Sequence, residues 1–556
     1  MRLTHALFPA ALLGLSALAG AQGPPPPPPP PPPLLPPPVP AGNPITPEKV
    51  LLGKALFWDE QLSSTRTVAC GTCHILGAGS SDPRSDGSIN SKHAGPDSIF
   101  GTADDITGSP GVIRNQQDGH YLKDPSFDLR LQVTRRKSPS AINAAYANQL
   151  FWDGRADDTF VDPVSGVVVL PNGAALESQA VGPVLSDIEM AHIGRDWPQA
   201  LDSIDNADPL ALARDIPTDL ANFVNGKSYA ELFEDVFGSP GITAPRFAMA
   251  VATYERTLIS NQAKIDLPPG PGVLTQQELQ GLQIFNSPGA RCNQCHTGPT
   301  FSDNQFHYIG VRPQDDDLGR FAVTGNNGDR GRMKTPSLRN VGLREPLFHN
   351  GGKATLEEVV DFYNQGGDFN APNKDPRIQP LGLNAGQRAA LVAFLRGALT
   401  DQRVANETPP FDRPTLYSES NDVPELFGVG TPGTGLFPPH MIAVEPPKIG
   451  NPNFTLAMDQ GLGGRPAFLA ADIQAYANGI TFAGMQLYID RTPMLQLHSV
   501  GLLSGVGAGE GWDSVTLSLP NDPALIGSAL FCQWFVLDPD PAARFAASEG
   551  LEIRWF

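Results

Sequence analysis

Two short stretches concentrate the chemistry of this sequence: Cys70-Gly71-Thr72-Cys73-His74 and Cys292-Asn293-Gln294-Cys295-His296. Thiols three positions apart on one turn can each add to a vinyl group of a single porphyrin, and the adjacent histidine then offers its imidazole to the iron. A zinc site needs about four ligands, and neither stretch has a second histidine at zinc-finger spacing. A thioredoxin-like C-x-x-C pair leaves the histidine after both copies unexplained. The spacing therefore predicts two covalently bound c-type hemes, held by Cys70, Cys73, Cys292 and Cys295, with His74 and His296 as proximal ligands. Cys532 is left over and is expected to be a small buried hydrophobe.

A helix must position each motif. Thr46-Pro47-Glu48 supplies a cap and a proline at the first helical position, followed by Leu52, Gly53, Ala55, Leu56 and Phe57. Thr275 and Glu278 form a capping box ahead of Leu279, Gly281, Leu282 and Phe285. Both units read as helix, loop and C-x-x-C-H, which points to duplication of one fold.

The rest of the chain sets the context. Its 556 residues carry 39 basic and 58 acidic side chains, a formal charge of −19, so a phosphate backbone is repelled and nucleic acid is excluded as a partner. The same charge favours basic partners such as a positively charged soluble redox protein. Glycine and proline number 57 each, well above average usage, and predict a loop-rich fold. Arg2, the apolar stretch from Ala6 to Ala21 and the small-residue end Ala19-Gly20-Ala21 read as a cleaved signal peptide over residues 1–21, hence a periplasmic or otherwise extracytoplasmic protein. No other apolar run is long enough to span a membrane. Residues 22–44 form a linker whose ten prolines, Pro24 to Pro33, favour a polyproline II stalk of roughly 30 Å.

Between and after the hemes come Arg135-Arg136-Lys137-Ser138-Pro139-Ser140, Phe151-Trp152-Asp153-Gly154-Arg155, Glu177-Ser178-Gln179 and Ile188-Glu189-Met190. Lys334-Thr335-Pro336-Ser337-Leu338-Arg339-Asn340, Phe348-His349-Asn350-Gly351 and Thr355-Leu356-Glu357-Glu358 leading to Tyr363 follow. From about residue 45 to 405 the chain resembles the bacterial di-heme cytochrome c peroxidase and MauG family. That resemblance implies a mainly α region of two cytochrome c-like heme domains, peroxidatic over 45–265 and electron-transferring over 266–405.

It further implies that hydrogen peroxide is reduced at the first heme, with electrons arriving through the second from a donor such as a small cytochrome c. Glu189 matches the family's distal acid, Gln179 a distal amide that positions peroxide and water, and Trp152 the tryptophan between the hemes. A carboxylate beside an apolar heme face should have a raised pKa, which suits proton transfer between peroxide oxygens. Read without the family, Glu189 serves equally as a solvated loop carboxylate, Gln179 as a surface amide and Trp152 as a core aromatic.

Tyr363 bears on the subclass. Thr355 and Glu358 read as a capping box, and Leu356, Val359, Val360 and Tyr363 share one helix face. The resemblance places a methionine ligand of the second iron at this position in the peroxidase branch and a tyrosine in the MauG branch. Phenolate favours ferric iron and lowers the potential. This points to MauG-like oxidation of a protein partner as the second reading, with a non-enzymatic electron carrier as a third. Met333 lies outside the family's ligand position.

The chain also departs from the pattern. An insertion over about 78–130 contains His93 and His120, either of which could cap the first heme at rest. Within it Asp97 to Asp105 matches a calcium loop weakly. The family's interdomain calcium would take carbonyls of Arg344 and Pro346, but Lys137 stands where the family has asparagine, and its charge can replace the cation's. A second insertion, about 158–174, reads as a hairpin over the interface. The Gly386–Arg396 helix closes the second unit. Beyond it, alternating runs at 454–457, 485–489, 514–518, 531–537 and 551–556 predict an all-β, sandwich-like module over 425–556, for attachment or docking.

Overall fold

The computed structural model describes residues 33–268, 270–539 and 544–556; the expected signal peptide and the run Pro24–Pro32 lie outside them. Among the described residues no helix is long and apolar enough to cross a membrane.

The first helix, Pro47–Trp58, begins where the cap requires, with Thr46 Oγ1 accepting from the Lys49 N–H. It buries Leu52, Gly53, Ala55, Leu56, Phe57 and Trp58 against the Ala244–Glu255 helix. The crossing is close because Gly53 has no side chain: a Cβ there would sit 2.0 Å from the Ala250 carbonyl oxygen. The same device recurs in the second half. The Gln276–Phe285 helix, capped by the Thr275–Glu278 box, crosses the Ala385–Ala393 helix at Gly281, where a Cβ would lie 2.1 Å from the Ala390 oxygen. Crowding a site like this typically costs about 1–3 kcal/mol. Two glycine-mediated crossings, each placed before a C-x-x-C-H loop, give the duplication a structural counterpart.

Each crossing sits in its own apolar core. The first gathers Leu52, Phe57, Trp58, Phe233, Phe247 and Tyr254, and the second Leu282, Phe285, Phe301, Leu391 and Phe394. Val404, Phe411 and Leu416 return to the first core, so the chain leaving the second unit is anchored on the first. Loops carry much of the chain before residue 405, consistent with its glycine and proline content. The closing helix continues past Ala393 as one π turn, Phe394–Ala398. At Leu356–Gln365, Thr355 caps as expected, but Glu358 reaches the Ala354 N–H and not that of Thr355, so the reciprocal box is replaced by a bond one residue earlier.

The 158–174 insertion is a hairpin of Phe160–Val161 and Val168–Leu170. Phe160 and Leu170 enter the first core, so the hairpin packs on the first unit and not over the boundary between the two. The insertion over 78–130 contributes to a second ribbon, Pro110–Ile113 with Leu131–Val133.

The C-terminal region is β-rich. A three-stranded sheet (His440–Ile442, Phe454–Gly463, Gly507–Leu517) and a larger antiparallel sheet share one core. The larger sheet runs in the order Gln496–Leu502, Pro466–Asp472, Ala529–Leu537, Gly550–Arg554 and Glu425–Phe427, with Phe545–Ala547 also on Ala529–Leu537. Phe454, Leu456 and Met458 of one sheet meet Leu469, Trp534 and Val536 of the other. Cys532 is fully buried in that core as an unpaired thiol.

Candidate functional site

Two cavities follow the two motifs. The first, about 820 Å³, is lined by Cys70, Cys73 and His74 together with Trp152, Gln179 and Glu189. That volume lies within the ~300–1,000 Å³ usual for cofactor sites. The second, about 210 Å³, is lined by Cys292, Cys295, His296, Trp152, His349 and Tyr363. It is tighter than that range, and the fit there rests on its donor set.

Local structure aims each histidine. Cys70–Cys73 is a single helical turn whose Ala69 N–H donates to Thr72 Oγ1, and Gly71 lies flat on the Trp58 indole. His74 Nδ1 is 3.3 Å from the Ser80 carbonyl oxygen, and His296 Nδ1 is 3.0 Å from that of Phe301. In both units the backbone therefore holds Nδ1 and leaves Nε2 available for ligation, the arrangement that orients metal-bound imidazoles. Burial lowers the pKa of both histidines and keeps them neutral. Burial also pushes the thiols of Cys70 and Cys292 up to about 12 and Cys295 to about 11. In the absence of a metal these groups are held as thiols, the form in which thioether attachment begins.

Glu189 is presented by a turn in which its N–H, and those of Met190 and Ala191, converge on the Ser186 carbonyl oxygen. Burial raises its pKa, opposed by a hydrogen bond from Ser186 and by the positive field of Arg155. Gln179, on the Ala175–Ala180 helix, lines the same cavity. Sequence reasoning quoted Arg155 within its motif but gave it no role; its guanidinium also lies over the Phe151 ring and pairs with Asp153. Glu255 was missed entirely. It lines the first cavity at 5% exposure, one carboxylate oxygen has no partner among the described residues, and burial pushes its pKa to about 8. Only its neighbour Arg256 signals it in the sequence, and Arg256 is spent on Glu177.

Trp152 is on the wall of both cavities. Its Nε1–H donates to the Lys137 carbonyl oxygen at 2.8 Å. The boundary around it is stapled by Arg136, whose guanidinium forks onto Asp317 and also reaches Asp153, and by the Lys334 N–H on the Trp152 oxygen.

Tyr363 faces the second cavity, with ring contacts to Phe348 and Phe362. Its hydroxyl has no hydrogen-bond partner among the described residues. Burial raises the phenol well above its ordinary pKa. Phenolate can form there only against a strong positive charge, as a ferric iron would supply. Met333 also lines this cavity, so its lining offers a thioether as well as the Tyr363 phenol.

Neither histidine of the long insertion lines the first cavity. His93 packs against Phe127, and His120 bonds Ser514 of the β region. In the Asp97–Asp105 loop Asp104 accepts from the Asp97 N–H and Asp105 from that of Gly101, while Asp105 Oδ1 has no partner among the described residues. At the interdomain position Lys137 Nζ donates to the Arg344 carbonyl oxygen at 2.8 Å and to Ser81 Oγ. That carbonyl is one of the two expected for calcium.

Residues 47–268 match the family model described as di-haem cytochrome c peroxidase. The chain is 29% identical over 400 residues to a cytochrome c551 peroxidase of Nitrosomonas europaea, covering 69% of this chain and 90% of that protein. It is 29% identical over 360 residues to the methylamine utilization protein MauG of Methylorubrum extorquens, covering 64% and 79%. Among solved structures, a MauG-like protein associated with microbial copper homeostasis aligns at 24% identity and a TM-score of 0.48, covering 69% of this chain and 97% of that one.

Proposed function

Because the chain belongs to the di-haem cytochrome c peroxidase family, we propose that it is an exported oxidoreductase that reduces hydrogen peroxide in the first cavity. The reaction takes up two electrons and two protons and releases two water molecules. One observation carries the reading: an acid-base carboxyl and a positioning amide, Glu189 and Gln179, line the same cavity as Cys70, Cys73 and His74. A simple electron carrier has no use for either.

The thiols and histidines of the two motifs would hold two c-type hemes, and when bound these supply the redox chemistry and the iron that binds peroxide. The chain's own groups do the rest. Glu189, with its pKa raised by burial, takes a proton from one peroxide oxygen and returns it to the other. Gln179 orients peroxide and water through its amide. Arg155 keeps the Glu189 carboxylate form within reach by opposing the effect of burial. Trp152, shared by both cavities, passes electrons between them, and a soluble redox protein supplies them near the second.

Two cytochrome c-like domains, 45–265 and 266–405, and a β-sandwich-like module, 425–556, are the organisation we favour, with residues 1–21 a signal peptide and 22–44 a linker. The cation position at the junction of the heme units is taken by the Lys137 amine and not by calcium, because it already occupies the Arg344 carbonyl. A specific observation also favours the MauG-like reading: the partnerless Tyr363 hydroxyl faces the second cavity. Tyrosinate ligation would lower the second site's potential and direct oxidising equivalents to a protein partner.

Peroxide-driven oxidation of a panel of reduced cytochromes and quinols by the matured holoprotein tests the proposal. Rapid turnover with a cytochrome supports it. Peroxide consumption without turnover of any small donor, combined with oxidation of a protein, moves the assignment to the MauG-like branch. No reaction with peroxide would leave only the electron carrier.

A further inference from the structure

The β-rich C-terminal region has no role in the chemistry above, and neither does the 78–130 insertion. The structure joins both to Glu189. The turn that presents Glu189 lies directly against the ribbon of Pro110–Ile113 and Leu131–Val133. The Val112 N–H donates to the Ile188 carbonyl oxygen at 3.1 Å, and Gln132 Nε2 donates to that of Asp187 at 2.6 Å. Gly111 permits the approach: a Cβ there would sit 1.9 Å from the Ile188 oxygen. Two residues beyond the ribbon strand, the Asn115 carbonyl accepts from the Ile193 N–H, so both ends of the turn are held.

A ribbon of this kind does not hold itself. It has only two Cα-partnered positions, Pro110 with Val133 and Ile113 with Leu131, with an irregularity between them. Isolated two-stranded hairpins are marginal in water. Val112 anchors it in the first core, and on the far side the C-terminal region clamps the loop that closes the ribbon. Tyr121, fully buried, donates its hydroxyl to Glu445 at 2.8 Å and its N–H to Ser514 Oγ at 3.0 Å. Thr455 Oγ1 donates to the Gly119 carbonyl oxygen. Ile113, Tyr121 and Leu129 form one apolar cluster with Ile442 and Ala457. Glu445 is itself buried and accepts from the Thr455 N–H as well as from Tyr121, so neither oxygen is left over.

We propose that the C-terminal β region is a positioning element of the first cavity: acting through the 110–133 ribbon, it holds the turn that places the Glu189 carboxyl. This rests on the reading of the first cavity as the peroxide site. Tyr121 and Ser514 are positioning residues, since they act on Glu189 through the ribbon and touch nothing in the cavity.

The test uses the heme-loaded full chain and compares Tyr121→Ala, Glu189→Gln and the double variant. Heme content and melting temperature report folding, and Ser514→Ala is the milder replacement if Tyr121→Ala fails to mature. The expected result is faster amide hydrogen exchange at residues 186–191, by about tenfold, from loss of a local clamp. Peroxide turnover should also fall by about tenfold, with a shifted pH profile, and Glu189→Gln should cost much less in the Tyr121→Ala background than alone. Faster exchange confined to the ribbon and the C-terminal region, with turnover and pH profile unchanged, overturns the proposal and leaves the site assignment standing. If Glu189→Gln alone leaves turnover unchanged, the site assignment fails instead.

Discussion

The Trp152 indole meets the His349 imidazole edge to face, ring centroids 6.1 Å apart, and that same indole forms part of the wall of both cavities. The His349 ring is buried and its pKa is lowered to about 4, so the pair is neutral at working pH. An uncharged aromatic pair held by the Lys137 carbonyl is well suited to carry an electron without a compensating ion movement. Trp152→Phe should slow electron transfer between the two sites by about tenfold or more while leaving heme content intact. Stopped-flow measurement of second-site reoxidation after peroxide addition checks this. A rate within twofold of wild type would place the path elsewhere.

The lining of the second cavity offers two alternative donors, Tyr363 and Met333. Phenolate ligation predicts that Tyr363→Phe raises the second site's reduction potential and changes its ferric spectrum, and that Met333→Ala does neither. Potentiometric titration of both variants decides between them. The opposite pattern would identify a thioether ligand.

Lys137 predicts indifference to chelators. Its amine already serves the Arg344 carbonyl and Ser81, and in either protonation state it can donate to both. EGTA should leave peroxide turnover unchanged. Lys137→Met strands a buried carbonyl, at a cost of about 1–3 kcal/mol, and should lower the melting temperature. Loss of turnover on chelation of the wild-type protein would contradict the assignment.

Glu60 ties the first unit to the chain that leads into the β region, accepting from the Tyr417 N–H at 2.6 Å and from Ser418 Oγ at 2.8 Å. Burial raises it from 4.5 to about 7. The fold therefore prefers the protonated form: the contribution is complete below pH 4.5 and is lost as pH rises through about 7, a change on the order of 3 kcal/mol. Denaturant titrations from pH 4.5 to 8 should show a decline that Glu60→Gln flattens. An equally steep decline in that variant would assign the effect to other groups.

Much of this was legible because it is local. Thr46 and Thr275 announce their helices through side chains three residues from the N–H groups they cap, and the C-x-x-C-H loops carry their chemistry within five residues. The strands at 454–463 and 529–537 declare themselves by apolar and β-branched runs. The central strand Pro466–Asp472 did not, because Pro466-Ala467-Phe468-Leu469-Ala470-Ala471 is apolar throughout, shows no apolar–polar alternation, and from Leu469 on is buried at every position. Contacts distant in sequence were also hidden. No local pattern says that Lys137 reaches Arg344, that Tyr121 meets Glu445, or that Met333 turns into the second cavity. The hairpin at 158–174 was recognisable, but its packing partner is set by tertiary contacts.

The central claim is that Glu189 moves a proton on peroxide in a cavity built around Cys70, Cys73 and His74. The most direct measurement is the first-turnover rate with hydrogen peroxide in matured wild-type and Glu189→Gln protein of equal heme content. The account predicts a loss of about 10²–10⁴-fold, the range typical of general acid–base groups. An unchanged rate would contradict it.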